Sequence, residues 1–535
     1  GKGCVVGVGQ QVVEPRSFLV HLTASHASSV HLPSIIGSFP DTHASEGGTV
    51  RGNEVVGSRG GAELASLYES AFELLLRNLK RGPVLPKEGA VRRAQNLSEY
   101  CYVCPSHAIY PHQWLWDSCF HAIVMARFRP DLAKAELRTL CSMVEANGFL
   151  PHLISWRRTN RVPGLDGIAL WLREVTHVGH LTQPPVLAIA VEEVYHQCGD
   201  KEFVVEVLPA VKRHYRYFAT QRDPDGDGLV SIVFPIESGM DHLPVYDTVL
   251  GIGKATALRY HLANLTLATR YLAMGWSLDR IFSADLFSVE DVGFNAIYVH
   301  GLRALARLAT LCEDPDDVRF TRMAERVERA LIERCYDQKD RAFYSLYSKS
   351  DRPIKVLTVA SLLPLLLDSL PRSLADELVG DRLLNPSMFW TPYPVPSVSV
   401  GEPTFRASSD PVPAVFSIPG WLRRQLDRHH LIWRGPSWIN TNWMLGRGLR
   451  RHGYNQVADE LTRRTAAMVA NSGFWEYYDP LSGVGLGAGD FGWSTLVVDM
   501  LANAADPSLV EEYAAAVAAT TLKAESYPGT VVTSI

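Results

Sequence analysis

Ala62-Glu63-Leu64-Ala65-Ser66-Leu67-Tyr68-Glu69-Ser70-Ala71-Phe72-Glu73-Leu74-Leu75 sets a period that most of the chain repeats. Leu64, Leu67, Ala71, Leu74 and Leu75 recur three and four residues apart, so they line one face of a helix running to about Leu79. The same spacing predicts helices over 114–127, 131–145, 184–196, 201–220, 255–274, 290–311, 315–335, 356–367, 373–379, 437–452, 455–471 and 492–505. Pro184-Pro185 opens one of them and His452-Gly453 closes another, each residue type sitting where its backbone suits a helix end. Thirteen long helices with few strand-like runs point to an all-α fold of paired helices around an axis. No short consensus repeats, so an open solenoid fits less well.

Two stretches break the pattern. Residues 1–60 lack helical periodicity and read as an irregular N-terminal arm or tail, ahead of one helical domain over 61–535. Residues 383–413 are rich in Pro, Ser and aromatics, and predict a long ordered loop capping one mouth of the domain.

Composition narrows the function classes. The net charge is −5 over 535 residues and no basic block occurs, which argues against nucleic acid as a partner. No apolar run is long enough to span a bilayer, so no membrane partner is expected either. Eight cysteines contain one close pair, Cys101 and Cys104, and read as reduced thiols of a cytoplasmic protein. The sequence leaves homo-oligomerisation open.

The chemistry gathers around Ile236-Glu237-Ser238-Gly239-Met240-Asp241-His242-Leu243-Pro244-Val245-Tyr246-Asp247. Three carboxylates lie within eleven residues, after a short apolar run over 229–234 that reads as a strand. A carboxyl beside Met240 and Leu243 gains a raised pKa from desolvation and donates a proton near neutral pH. A solvated loop of turns and caps is the plain alternative.

Three further stretches keep it company. Gln113-Trp114-Leu115-Trp116-Asp117-Ser118 combines two indoles with an amide and a carboxylate, a set that stacks on sugar C–H faces and holds hydroxyls. Trp433-Arg434-Gly435-Pro436-Ser437-Trp438 starts a helix with more indoles, and Phe474-Trp475-Glu476-Tyr477-Tyr478-Asp479 sets Glu476 among aromatics, where it activates a water or serves as a structural carboxylate.

Together with Thr182-Gln183-Pro184-Pro185 and Glu290-Asp291-Val292-Gly293-Phe294-Asn295, these stretches resemble glycoside hydrolase family 63, in the family's order from about residue 100 to 500. The resemblance implies an (α/α)6 barrel that hydrolyses α-glycosides with inversion. By motif, Asp241 is implied as general acid and Glu476 as general base. Trp114, Trp116, Asp117, Trp433 and Trp438 are implied around the reacting sugar, with Gln113 and Gln183 beside them. The shortness of the chain ahead of the first motif favours the branch that hydrolyses mannosylglycerate or glucosylglycerate. Arg157, Arg158 and Arg259 are available to a glycerate carboxylate, and spacing selects none of them. An α-glucosidase acting on a kojibiose- or trehalose-like sugar, a sugar isomerase or epimerase, and a binding protein without catalysis stand as alternatives.

No cofactor is expected. Asp223-Pro224-Asp225-Gly226-Asp227-Gly228 opens like an EF-hand loop, but Phe234 stands where the loop's bidentate glutamate belongs, so the stretch reads as a tight acidic turn.

Overall fold

Two kinds of helix alternate along the chain. The computed structural model describes residues 57–84, 97–156, 179–253, 256–408 and 431–524, so of the arm expected over 1–60 residues 1–56 lie outside it and 57–60 are helical. Leu115–Met125 and Val359–Leu366 bury every residue, and Leu187–Cys198, Val292–Leu311, Ile439–Arg451 and Leu496–Ala502 bury most of theirs. Between them come Pro130–Cys141, Lys201–Gln221, Asp317–Ala330 and Asn455–Ser472, which bury one face only. A helix apolar all round needs neighbours on every side. The structure supplies them by packing each buried helix on the next in chain order, and Leu496–Ala502 packs back on Leu115–Met125.

Local chemistry places the helix ends. The Asp200 carboxylate accepts the Phe203 N–H at 2.9 Å to start Lys201–Gln221, and Asp291 accepts the Phe294 N–H at 2.8 Å to start Val292–Leu311. Each such cap contributes about 1 kcal/mol. Gly199 ends Leu187–Cys198 in the left-handed conformation.

Several elements differ from expectation. The segment predicted as a helix over 356–367 is a 3-10 helix, because Pro364 inside it lacks the N–H that an α-helical bond needs. Glu290 was expected to open a helix, but Val289–Glu290 is a strand paired with Leu346–Tyr347, and the helix begins at Val292. The expected strand over 229–234 reduces to one bridge between Ile232 and Val289. The first helix starts at Gly57 rather than Ala62 and packs against Pro507–Ala524, which the spacing did not predict. The long loop is ordered over its described residues 384–408. The Asn442 side chain donates to the Pro394 carbonyl at 2.9 Å and accepts the Val395 N–H at 3.0 Å, and Tyr393 N–H donates to the Pro480 carbonyl at 2.9 Å.

Seven cysteines among the described residues are free, and burial pushes the Cys101 and Cys104 thiols up to about 12. No described helix is long and apolar enough to cross a membrane.

Candidate active site

The three carboxylates of the 236–247 stretch have separate fates. Glu237 is fully buried in a two-pronged ion pair with Arg222 (2.7 and 2.9 Å) and also accepts the Thr182 and Val233 N–H groups. Asp247 is gripped by both terminal nitrogens of Arg434 at 2.6 Å. Asp241 pairs with no arginine or lysine among the described residues; its Oδ2 lies 3.1 Å from Nε2 of His242. Two of the carboxylates are thus each paired with an arginine, and the third is not.

Gly239 aims that third group. Its φ is +69°, a left-handed turn open to glycine at little cost. A Cβ there would stand 2.4 Å from the Trp116 ring, so the acidic turn lies directly on that indole. Met240 and Leu243 are buried on either side. The Asp241 side chain keeps 29% of its surface open, yet the surrounding protein desolvates it and pushes its pKa up to about 6; its own backbone N–H and the charge of His261 pull the other way.

Glu476 lies on strand Trp475–Tyr478, which pairs with Gly485–Gly489. It is 7% exposed, and its Oε2 accepts the Ala488 N–H at 3.0 Å. The partner strand comes this close because Gly487, at φ +78°, has no Cβ; one would stand 2.7 Å from Oε2. Burial pushes the Glu476 pKa up to about 7, and the charge of Asp241 adds to the rise against the Ala488 and Tyr110 hydrogen bonds. Asp117, in the first turn of Leu115–Met125, is also raised well above the carboxylate range, chiefly by burial and in part by Glu476. Burial raises both groups, and Glu476 stands at least as high as Asp241, so desolvation alone does not set Asp241 above Glu476.

The indoles form one connected wall. Trp433 stacks flat on Trp438 at 3.7 Å; Trp438 meets Tyr477 at 4.7 Å and Trp493 at 5.7 Å; Trp493 meets Trp116 edge-on at 5.7 Å. Phe491 and Tyr110 extend the wall to Trp114. The buried Nε1 of Trp114, Nε1 of Trp438 and Nδ2 of Asn440 have no protein partner among the described residues. Buried donors normally find acceptors, so these three are open to a partner that the described residues do not supply. Gln113 is spent inside the protein, donating to Ser118 at 3.1 Å and accepting from Trp156 at 2.8 Å. Gln183 accepts the Trp116 N–H at 3.3 Å. His121 is a core histidine bonded to the Val103 carbonyl. Arg157 and Arg158 lie outside the described residues, and Arg259 is exposed.

Spacing did not single out Trp493, Tyr110 or Asn440. Trp493 Nε1 donates to the Glu476 carbonyl at 3.0 Å, and the aromatic density around 474–493 was its only signal in the sequence.

The profile of the mannosylglycerate hydrolase MGH1-like glycoside hydrolase domain matches residues 110–494. The chain belongs to the mannosylglycerate hydrolase-like branch of glycoside hydrolase family 63. Like the other members of this family, it is a glycoside hydrolase. It is 31% identical over 437 residues to the mannosylglycerate hydrolase of Thermus thermophilus, covering 76% of this chain and 97% of that protein. It is 27% identical over 435 residues to the glucosylglycerate hydrolase of Mycolicibacterium hassiacum, covering 73% of this chain and 91% of that one. A crystal structure of a family 63 mannosylglycerate hydrolase from Thermus thermophilus in complex with glucose superposes with a TM-score of 0.65 at 30% identity, covering 81% of this chain and 99% of that one.

Proposed function

We propose that this family 63 hydrolase is an inverting α-glycosidase on an (α/α)6 barrel, acting on α-mannosylglycerate or α-glucosylglycerate. The observation that carries the reading is the pair Asp241 and Glu476: two desolvated carboxyls, with no arginine paired to either among the described residues, at the end of an indole wall. The ring of buried helices that closes on itself supports the barrel.

In the proposed reaction Asp241 carries the proton and Glu476 is ionised. A water oxygen attacks the anomeric carbon as the bond from that carbon to the glycerate oxygen breaks. Asp241 gives its proton to the departing oxygen, and Glu476 takes one from the water. The products are the β-sugar and glycerate, and one proton exchanged with solvent resets the pair. Because both pKa values lie near neutrality, the pair holds one proton between them, and its apparent values belong to both groups together. The bound substrate decides which group carries it: the leaving oxygen accepts only from protonated Asp241, and the water donates only to ionised Glu476. An inverting enzyme holds the two carboxyls about 6.5–9.5 Å apart to admit that water. Trp114, Trp116, Trp433 and Trp438 wall the sugar, and Asp117 binds a hydroxyl. Gln113 and Gln183 position these groups rather than touch the substrate.

Proton NMR of the protein with α-mannosylglycerate, α-glucosylglycerate, trehalose and kojibiose in parallel tests this reading. The expected result is release of the β-anomer from a glycerate glycoside. Release of the α-anomer overturns the acid and base assignment; turnover of trehalose or kojibiose alone overturns the substrate.

A further inference from the structure

The proposed acid has two oxygens, and only one of them can hold the proton that reaches the leaving group. The last torsion of an aspartate is broad and roughly two-fold, so a carboxyl without a fixed partner exchanges its oxygens freely. Asp241 keeps 29% of its side-chain surface open and pairs with no arginine or lysine among the described residues. Its neighbour in sequence, His242, stands with Nε2 3.1 Å from Oδ2.

The other ring nitrogen shows what Nε2 carries. Nδ1 of His242 accepts the Ile432 N–H at 3.1 Å, and a nitrogen that accepts has no proton of its own. Burial, with the Arg434 charge beside it, pushes the His242 pKa down to about 3, so near neutrality the imidazole holds a single proton. That proton is on Nε2, the nitrogen beside Asp241. The ring is also boxed in. Tyr260 lies edge-on to it at 5.1 Å and donates its hydroxyl to the Asp241 backbone carbonyl, and His261 stands edge-on at 6.1 Å. The titratable and charged groups around the pair are thus Tyr260 and His261 from helix Ala257–Ala273, Arg434 with its partner Asp247, and Glu476.

We propose that His242 is a positioning residue for the acid: held through Nδ1 by the Ile432 N–H, it directs its Nε2 hydrogen at Oδ2 of Asp241 and leaves Oδ1 as the oxygen that carries the catalytic proton. The role rests on Asp241 being the acid of the proposed reaction, and His242 itself gives up no proton in it. Catalytic contacts at such distances commonly align only once substrate is bound. Ile432 immediately precedes Trp433 of the indole wall, so the backbone that carries the wall also sets the ring that sets the acid. A donor on Oδ2 favours the ionised carboxylate, so the contact opposes the burial that raises Asp241 and eases release of its proton.

The test joins three variants to one spectrum. His242→Gln places an amide N–H where Nε2 stands and gives up the Ile432 contact. His242→Asn places an amide oxygen where Nδ1 stands and keeps that contact without reaching Asp241; His242→Phe keeps neither. Product NMR with α-mannosylglycerate and α-glucosylglycerate is expected to give a kcat within about tenfold of the parent for His242→Gln, and about 10–100-fold lower for the other two, with KM little changed. In those two the alkaline limb of kcat/KM is expected to move up by about half a pH unit, because Asp241 loses a donor to its ionised form. A ring that only packs the turn predicts His242→Asn at or above His242→Gln and no movement of the limb. That result, or parental turnover by His242→Phe, overturns the proposal. Histidine ¹⁵N NMR of the full chain needs no substrate, with the His242 signals assigned by their loss in His242→Gln. A proton on Nε2 is expected, with a shift that follows a titration near pH 6 and stays flat in Asp241→Asn. A proton on Nδ1, or an unchanged titration in Asp241→Asn, overturns the proposal even where the enzyme turns over. If the parent hydrolyses neither glycerate glycoside, the substrate reading fails and the spectrum alone decides the role of His242.

Discussion

Glu237 and Asp241 stand four residues apart on one turn, and both are set into the protein, yet the fold treats them as different kinds of group. Glu237 has Arg222 across it and two backbone N–H groups on its oxygens, so its ionised form is fully answered. Asp241 has an indole beneath it, apolar neighbours on both sides and, among the described residues, no arginine paired to it, so burial favours its protonated form. A desolvated carboxyl keeps either a cation or a proton. Where the protein supplies a cation the carboxylate joins the scaffold, and where it withholds one the carboxyl is left open to the proposed role of acid.

The most forceful way to break this contrast is to remove the two uncompensated groups. Asp241→Asn and Glu476→Gln are each expected to lower kcat by about 10²–10⁴-fold with KM little changed, measured by product NMR against a retained fold. Near-parental turnover in either variant removes that residue from the mechanism. Next in size comes the compensated group. Arg222→Met strands a buried charge on Glu237 and is expected to cost about 3–5 kcal/mol in urea unfolding, while Arg222→Met with Glu237→Gln recovers much of the loss. If the double variant is as unstable as the single one, the charge is not what makes the pair matter. Gly239→Ala forces a Cβ onto Trp116 and a side chain into a left-handed turn, with an expected loss of about 1–3 kcal/mol and a fall in kcat, since the acid moves with its turn. Mildest is the response to pH. The active pair holds one proton, so kcat/KM is expected to fall below about 6, where both carboxyls are protonated and the base is lost. It is expected to fall above about 7, where both are ionised and the acid is lost. A flat profile over about pH 5–8 breaks the one-proton reading.

Helical periodicity carried most of the architecture, because a helix announces its buried face within its own residues. It failed where that local signal is absent or misleading. Pro507–Ala524 is so rich in alanine that no stripe stands out, and its place is set by Gly57–Arg77 packed against it. The apolar run around Pro364 looks α-helical, yet the proline inside it withholds an N–H and the segment is a wholly buried 3-10 helix. The site divides the same way. Asp241 and Glu476 were singled out because their motifs are contiguous. The partners that tell acid from scaffold were not: Arg222 lies fifteen residues from Glu237, and Arg434 lies 187 from Asp247. Only folding brings them to hand. Glu290 is the plainest instance, a residue that reads as a helix start and proves to be a strand end.

The short segment 433–438 has a mechanical consequence. At one end Arg434 grips Asp247, six residues past the acid; three residues on, Ser437 exchanges both backbone hydrogen bonds with Tyr478, two residues past the base. The segment therefore works as a caliper whose jaws rest beside the two carboxyls. The gap between Asp241 and Glu476, which in the proposed mechanism separates inversion from retention, is gauged by a handful of residues to which that mechanism gives no proton to move. Insertion or deletion there resets the instrument, while substitutions that leave its length alone preserve the stereochemistry of the product.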